Sequence, residues 1–265
     1  MAHENLAVVT GASSGIGLEL ARLFAADGYD LVVVADEPQI ADVAEELGAT
    51  GVHVEAVRCD LREAADVQRL YETINDGGRV PHAVAFNAGT GRAGRFVDGD
   101  LRRELDIIDV NVRSTVHLAM LILRDMANRN VGRALFTSSI VAMMPGSYQT
   151  MYNASKAFIQ SFAEGLHDEF RGSGVSVTAL MPGPTDTEFF RRAGMLNTPL
   201  GRLPFKDDPA ETAKQGYEAM MRGKQKVVAS SLTTKAIGLV ARVLPDSVKA
   251  RANRLIVTPL DSHSI

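Results

Sequence analysis

Thr10-Gly-Ala-Ser-Ser-Gly-Ile-Gly17 separates an apolar β-branched run, Leu6-Ala-Val-Val9, from a stretch with helical spacing, Gly15 to Gly28. Glycines at 11, 15 and 17 form a GxxxGxG pattern. Each answers a physical demand. One turn needs dihedrals that side chains disfavour, one backbone segment must approach a pyrophosphate, and the helix must pack close to the strand. The helix that follows offers free N–H groups and the positive end of its dipole to phosphates. A glycine triplet also fits a tight strand–helix turn with no ligand. Its place in the first βα unit of the chain favours nucleotide binding. Gly11, Ser13, Ser14, Gly15, Ile16 and Gly17 are therefore candidate cofactor contacts.

The same alternation continues outward from this loop. Leu31–Val34, Val52–Val57, Ala83–Phe86, Arg133–Ser138, Val175–Leu180 and Lys226–Ala229 read as strands. Helical stretches lie between them, at about Pro38–Leu47, Arg62–Asn75, Leu101–Asn128 and Thr150–Arg171. Strands alternating with helices predict βαβ units and a parallel sheet, and nearly all-apolar strands predict a sheet covered on both faces. Right-handed crossovers then give an α/β, Rossmann-type doubly wound sheet of about seven strands. No Pro/Gly/Ser linker divides the 265 residues, so residues 1–265 are expected to form one dinucleotide-binding catalytic domain. Within it, 186–208 is expected to be a substrate lid and 232–265 a helical tail.

Composition excludes several classes. The chain is 46% hydrophobic and 23% charged, with a net charge of −4, so it lacks the basic excess of a general nucleic-acid binder. One cysteine, Cys59, permits no internal disulfide and is expected to be a buried, inert thiol. The N-terminus shows no basic n-region with an apolar h-region, and no run of about 18 apolar residues occurs. A cytoplasmic location with no transmembrane segment is the expectation. The six histidines show no metal-ligand spacing.

Two positions carry the chemistry. Asp36 ends the second strand, about twenty residues beyond the loop, where a carboxylate accepts the ribose hydroxyls of NAD and repels the extra phosphate of NADP. Neither 36 nor 37 is basic, so NAD is favoured over NADP. Tyr152-Asn-Ala-Ser-Lys156 puts a phenol and an ammonium on one helical face at i and i+4. A nearby cation lowers a phenol's pKa, so the pair can serve as general acid or base on a carbonyl or alcohol oxygen. An isolated YxxxK would more often be an exposed lysine beside a half-buried tyrosine. Ser139, thirteen residues before Tyr152, and Asn111, inside the long helix, shift that balance. An amide in mid-helix is usually an exposed polar position. It could instead bond backbone or water behind a site.

Together these residues resemble the classical short-chain dehydrogenases/reductases. The resemblance runs from Leu6 to about Thr187. It is carried by Thr10 to Gly17, Asp60, Asn87-Ala-Gly89, Asn111, Ser139, Tyr152, Lys156 and Pro182-Gly-Pro-Thr-Asp-Thr187. It implies that Tyr152 is the acid/base, that Lys156 holds the nicotinamide ribose and lowers the Tyr152 pKa, and that Ser139 orients the substrate oxygen. It implies that Asn111 supports a proton relay. Asp60 and Leu61 would meet the adenine, and Asn87, Ala88 and Gly89 the adenosine ribose. Pro182, Gly183, Thr185 and Thr187 would lie along the cofactor. One position departs from the family pattern. Asn-Asn-Ala-Gly reads Phe86-Asn-Ala-Gly89, which bears on local packing more than on catalysis.

The resemblance also implies a substrate pocket walled by Met143, Met144, Pro145 and Tyr148, and by Phe189, Phe190, Met195 and Leu196. That points to a fairly apolar alcohol or ketone. Lys235, Arg242, Lys249, Arg251 and Arg254 punctuate the tail. Packing over the pocket or on a partner subunit is favoured there over attachment to a membrane surface. The long helices imply a homodimer or homotetramer. The competing readings are an NADP-dependent reductase of the same class, a nucleotide-sensing Rossmann protein without turnover, and a nucleotide-sugar epimerase or dehydratase. The last group carries GxxGxxG and longer chains.

Overall fold

The computed structural model describes residues 5–229, 244–258 and 260. Seven strands form one parallel sheet in the order β3-β2-β1-β4-β5-β6-β7. They are β1 (Leu6–Thr10), β2 (Asp30–Ala35), β3 (Val54–Arg58), β4 (Ala83–Phe86), β5 (Gly132–Thr137), β6 (Val175–Pro182) and β7 (Lys226–Ala229). The helices are α1 (Gly15–Ala26), α2 (Ile40–Gly48), α3 (Ala64–Ile74), α4 (Leu101–Ile108), α5 (Ser114–Arg129), α6 (Thr150–Glu169), α7 (Phe189–Arg192), α8 (Pro209–Met221) and α9 (Asp246–Val257).

The central strands are largely apolar because both faces are buried, whereas the edge strands β3 and β7 carry Glu55, Arg58 and Lys226. Ala7, Val9, Leu31 and Val33 enter one core, with Leu20, Phe24, Tyr217 and Met220 of α1 and α8. Val8, Val32, Val34 and Phe136 enter the other, with Leu70, Ile122, Met126 and Ile159 of α3, α5 and α6. Side chains alternate faces along a strand, so consecutive valines feed opposite cores. Phe86, at the position that departs from the family pattern, is buried in the second core and stacks on Phe136 at 4.6 Å. An aromatic pair thus occupies the space an amide would have bonded across.

β1 and β4 are neighbours although two strands separate them in sequence. The crossovers reverse direction there, and such a switch point opens a crevice at the carboxyl ends of the strands.

The expected single helix over 101–128 is two. A π-type turn, Asp109–Arg113, lies between α4 and α5. Inserted turns of this kind recur at functional sites. Here the turn carries Asn111 inward, to 1% exposure, which favours the reading of an amide bonded behind the site over that of an exposed polar position. Cys59 is buried, and burial pushes its thiol up to about 12, which suppresses the thiolate. Of the tail residues singled out above, Lys235 and Arg242 lie outside the described residues. Among the described residues no helix is long and apolar enough to cross a membrane. No group of His, Cys, Asp or Glu suited to a metal occurs among them either.

Candidate active site

One cleft of about 650 Å³ runs along the carboxyl edge of the sheet. It brings together Gly11, Ser13, Ser14, Gly15, Ile16, Asp36, Asp60, Leu61, Asn87, Ala88 and Gly89 with Ser139, Tyr152, Lys156, Pro182, Gly183, Thr185 and Thr187. Gly17 and Asn111 stand behind the lining.

The β1–α1 turn is shaped by space. Gly11 has φ +68° and lies under Ala88, whose Cα is 2.9 Å from where a Gly11 Cβ would be. A Cβ on Gly17 would stand 2.1 Å from the Gly11 carbonyl oxygen. Ser14 begins α1 without capping it through its side chain, so the first-turn amides stay available to an anion. Residues and cradle fit a dinucleotide. Asn87 lines the cleft and also holds the structure beneath it. Its amide donates to the Thr10 and Gly11 carbonyls at 3.2 and 3.4 Å and accepts from the Thr137 hydroxyl at 3.1 Å. It ties three strand ends together beneath the cleft.

Asp36 is exposed at the end of β2, and its carbonyl accepts from Arg58. Asp60 is paired with Arg62 at 2.6 Å, and the hydrogen bonds from that guanidinium hold its carboxyl below the ordinary range. Two residues of this end escaped the sequence reading. Glu37 accepts from the Ser13 hydroxyl, and Arg192 of α7 pairs with Glu37 at 2.6 Å and reaches Ser14 at 3.3 Å. Arg192 is 178 positions from Ser14, so only the fold could reveal it.

At the other end, Tyr152 and Lys156 project from the first turns of α6. Tyr152 packs on Phe189, ring centroids 4.9 Å apart. The Lys156 Nζ donates to the Thr137 carbonyl at 2.8 Å and lies 5.8 Å from the centre of the Tyr152 ring. Asn111 accepts from the Thr90 amide at 2.8 Å and donates to the Thr90 carbonyl and the Ser155 hydroxyl, both at 2.9 Å. Its Oδ1 and the Lys156 Nζ lie 3.4 and 3.1 Å from where a Gly89 Cβ would be, which accounts for glycine there. Ser139 caps the short helical turn Ile140–Met143 by accepting from the Val141 amide at 3.3 Å.

The electrostatics differ from those of the simple Tyr–Lys pair. Burial pushes the Tyr152 phenol up to about 12, against a lowering by its hydrogen bond with Ser139. Burial pushes Lys156 down to about 8. Without cofactor, desolvation therefore outweighs attraction between the two groups, and Lys156 titrates nearest neutrality. Between pH 8 and the ordinary lysine value of 10.5, the unfolded chain binds a proton at this position that the folded chain does not. Unfolding free energy should rise with pH through that window. The raised Cys59 thiol opposes it above pH 9 and the raised Tyr152 phenol above pH 10, so the Lys156 contribution is read as the difference between the parent protein and Lys156→Met. Urea unfolding of cofactor-free protein at pH 7.5 and 9.5 should show the rise, and Lys156→Met should flatten it. An equal slope in both proteins would refute the assignment.

Comparison with known proteins agrees with this geometry. The family model for short chain dehydrogenase matches residues 5–195. The chain belongs to the short-chain dehydrogenase family. It is accordingly an NAD(P)-dependent oxidoreductase. It is 33% identical over 218 residues to the oxidoreductase UcpA of Salmonella typhimurium, covering 81% of this chain and 79% of that one. It is similar to a short-chain dehydrogenase from Sphingobium yanoikuyae in complex with NADPH, at 28% identity and a TM-score of 0.79, over 91% and 96% of the two chains. The fold is shared with a short-chain dehydrogenase/reductase from Burkholderia phymatum in complex with NAD, at 24% identity and a TM-score of 0.80, over 98% of both chains.

Proposed function

We propose that this short-chain dehydrogenase interconverts a fairly apolar ketone and its alcohol, with Tyr152 as acid/base. The observation that carries the reading is the convergence of Ser139, Tyr152 and Lys156 on one cleft with the phosphate turn. The nicotinamide, when bound, exchanges the hydride with the substrate carbon. The chain's own residues do the rest. The Tyr152 hydroxyl gives its proton to the carbonyl oxygen or takes it back. Ser139 holds that oxygen. Lys156 holds the nicotinamide ribose and, once charged there, favours the phenolate. Asn111, fixed by Thr90 and Ser155, supports proton exchange behind Lys156. Asp60 and Leu61 border the adenine. Pro182, Gly183, Thr185 and Thr187 follow the cofactor, under a lid spanning 186–208.

NAD is the favoured cofactor, because the Asp36 carboxylate at the end of β2 would accept ribose hydroxyls and repel a 2′-phosphate, and Glu37 beside it adds a second negative charge to the lining. Arg192 favours the second reading, NADP, because it could leave Glu37 for that phosphate. Titration with NADH and with NADPH, followed by nicotinamide fluorescence, decides between them. Tighter NADH binding supports the carboxylate argument. Preference for NADPH overturns it and leaves the enzyme class standing. Binding of neither sinks the catalytic reading in favour of an inactive relative. A cytoplasmic, homo-oligomeric enzyme with no nucleic-acid partner fits the same reading. Met120 on α5 and Phe158 on α6 are exposed apolar side chains on the helices expected to pair. Size-exclusion chromatography showing only monomer at micromolar concentration would refute the oligomer.

A further inference from the structure

Beyond Tyr152 the cleft continues as an arm with a different character. Its walls are apolar: Val141, Met144, Phe189, Met195, Leu200 and Ile256. Apart from Lys156 beside Tyr152, charged side chains of the lining such as Asp36, Asp60, Arg62 and Arg192 belong to the phosphate-turn end. Two primary amides interrupt the apolar wall. Gln149 is 2% exposed and Asn253, on α9, is 1% exposed.

Each amide has its nitrogen committed and its oxygen free. Asn253 Nδ2 donates to the Ser147 carbonyl at 2.8 Å, and Gln149 Nε2 donates to the Met195 sulfur at 3.0 Å. A carbonyl and a thioether can only accept, so the nitrogens must face them, and the amide orientations follow from these partners. That leaves Gln149 Oε1 and Asn253 Oδ1 buried without a protein partner. A buried acceptor left unmade costs about 1–3 kcal/mol. The nitrogens' bonds account for one half of each amide and leave the buried oxygens unexplained. Both side chains also close the pocket structurally. Ser147 and Gln149 lie on the segment that leads into α6, and α9 lies across it, with the Lys249 Nζ on the Met143 carbonyl at 3.1 Å. The Leu200 amide donates to the Ile256 carbonyl at 2.8 Å, fastening the lid to the same helix.

We infer that Gln149 and Asn253 form a polar anchor on the wall of the substrate arm. Their two oxygens share, in a bifurcated bond, the one proton of a hydroxyl that the substrate carries away from its reacting carbon. The inference rests on the ketone/alcohol reading above and sharpens it: the substrate is uncharged, with an apolar body and two separate oxygen functions. A charged distal group is disfavoured, because a carboxylate would meet two carbonyl-type oxygens in an apolar wall. The anchor acts on binding and specificity, not on proton transfer.

The test uses the enzyme loaded with cofactor and a ladder of 2-alkanones from hexanone to tetradecanone. Each is compared with the same ketone bearing a hydroxyl on its terminal carbon. The ratio of affinities, hydroxylated over parent, is read by calorimetry, and turnover is measured separately. One hydrogen bond made in place of an unmatched acceptor is worth about tenfold. The expected result is a ratio of about tenfold or more at one chain length, falling on either side of it. Gln149→Leu and Asn253→Leu should each bring that ratio toward one. Because the ratio is internal to each variant, a partial loss of stability does not imitate the effect. A ratio near one at every length, a ratio that survives in both leucine variants, or binding of neither series overturns the inference. A hydroxyl preference in binding without turnover supports the anchor and instead counts against the oxidoreductase reading.

Discussion

Tyr152→Phe should lower kcat for ketone reduction by about three orders of magnitude, within the range assigned to a positioned acid or base. It should leave cofactor affinity within a few-fold of its original value. The substitution removes one oxygen and keeps the ring, which packs on Phe189 at 4.9 Å, so the lid and the wall of the arm keep their support. The direction of the proton demand follows from the buried phenol. Held at about 12 without cofactor, Tyr152 is protonated at neutral pH and ready to act as an acid on a carbonyl oxygen. Oxidation of the alcohol requires it to begin as phenolate, which a protonated Lys156 beside it would stabilise. Stopped-flow reduction and fluorescence titration on the same preparation separate the two effects. Residual kcat within tenfold of the parent enzyme would remove Tyr152 from the acid/base role. A parallel loss of cofactor affinity would show that the hydroxyl organises the cleft instead.

The sheet was legible because its signals are local. Apolar β-branched runs such as Leu6-Ala-Val-Val9 and Leu31-Val-Val-Val34 announce strands buried on both faces. The GxxxGxG turn announces a close approach that the Gly17–Gly11 contact then accounts for. Tyr152 and Lys156 were legible because one helical turn separates them. What could not be read depends on partners far along the chain. Asn111 was singled out by the family resemblance, but nothing around it reports its partners Thr90 and Ser155, 21 and 44 positions away. Arg192 gave no sign of Ser14 or Glu37. Gln149 and Asn253 carry no sequence signal, because Asn253 meets the Ser147 carbonyl across 106 positions. The Tyr–Lys spacing was right and its simple electrostatic corollary incomplete. Proximity along a helix says nothing about desolvation, and in this cleft desolvation sets both groups first.

Gly17→Ala should be among the most damaging single-carbon additions in the chain, although alanine favours helices and position 17 lies in α1. The added Cβ would stand 2.1 Å from the Gly11 carbonyl oxygen and 2.5 Å from Asn87 Nδ2. Both neighbours are constrained. Gly11 is backbone pressed under Ala88, and Asn87 is the tie that holds the ends of β1, β4 and β5. Relief requires α1 to move away from β1, which opens the first core and shifts the turn that receives the pyrophosphate. Overpacking of this kind costs about 1–3 kcal/mol. Thermal unfolding should therefore fall by several degrees, and affinity for the preferred nicotinamide cofactor by about tenfold or more. Gly48→Ala is the matched control. It lies in the last turn of α2 with a right-handed backbone, and nothing stands within 4 Å of its added carbon. It should leave both measurements unchanged or raise Tm slightly. If Gly17→Ala matched Gly48→Ala in Tm and in cofactor affinity, the close helix–strand approach would not be what shapes the phosphate site. The turn's function would then rest on the dihedrals of Gly11 and Gly15 alone.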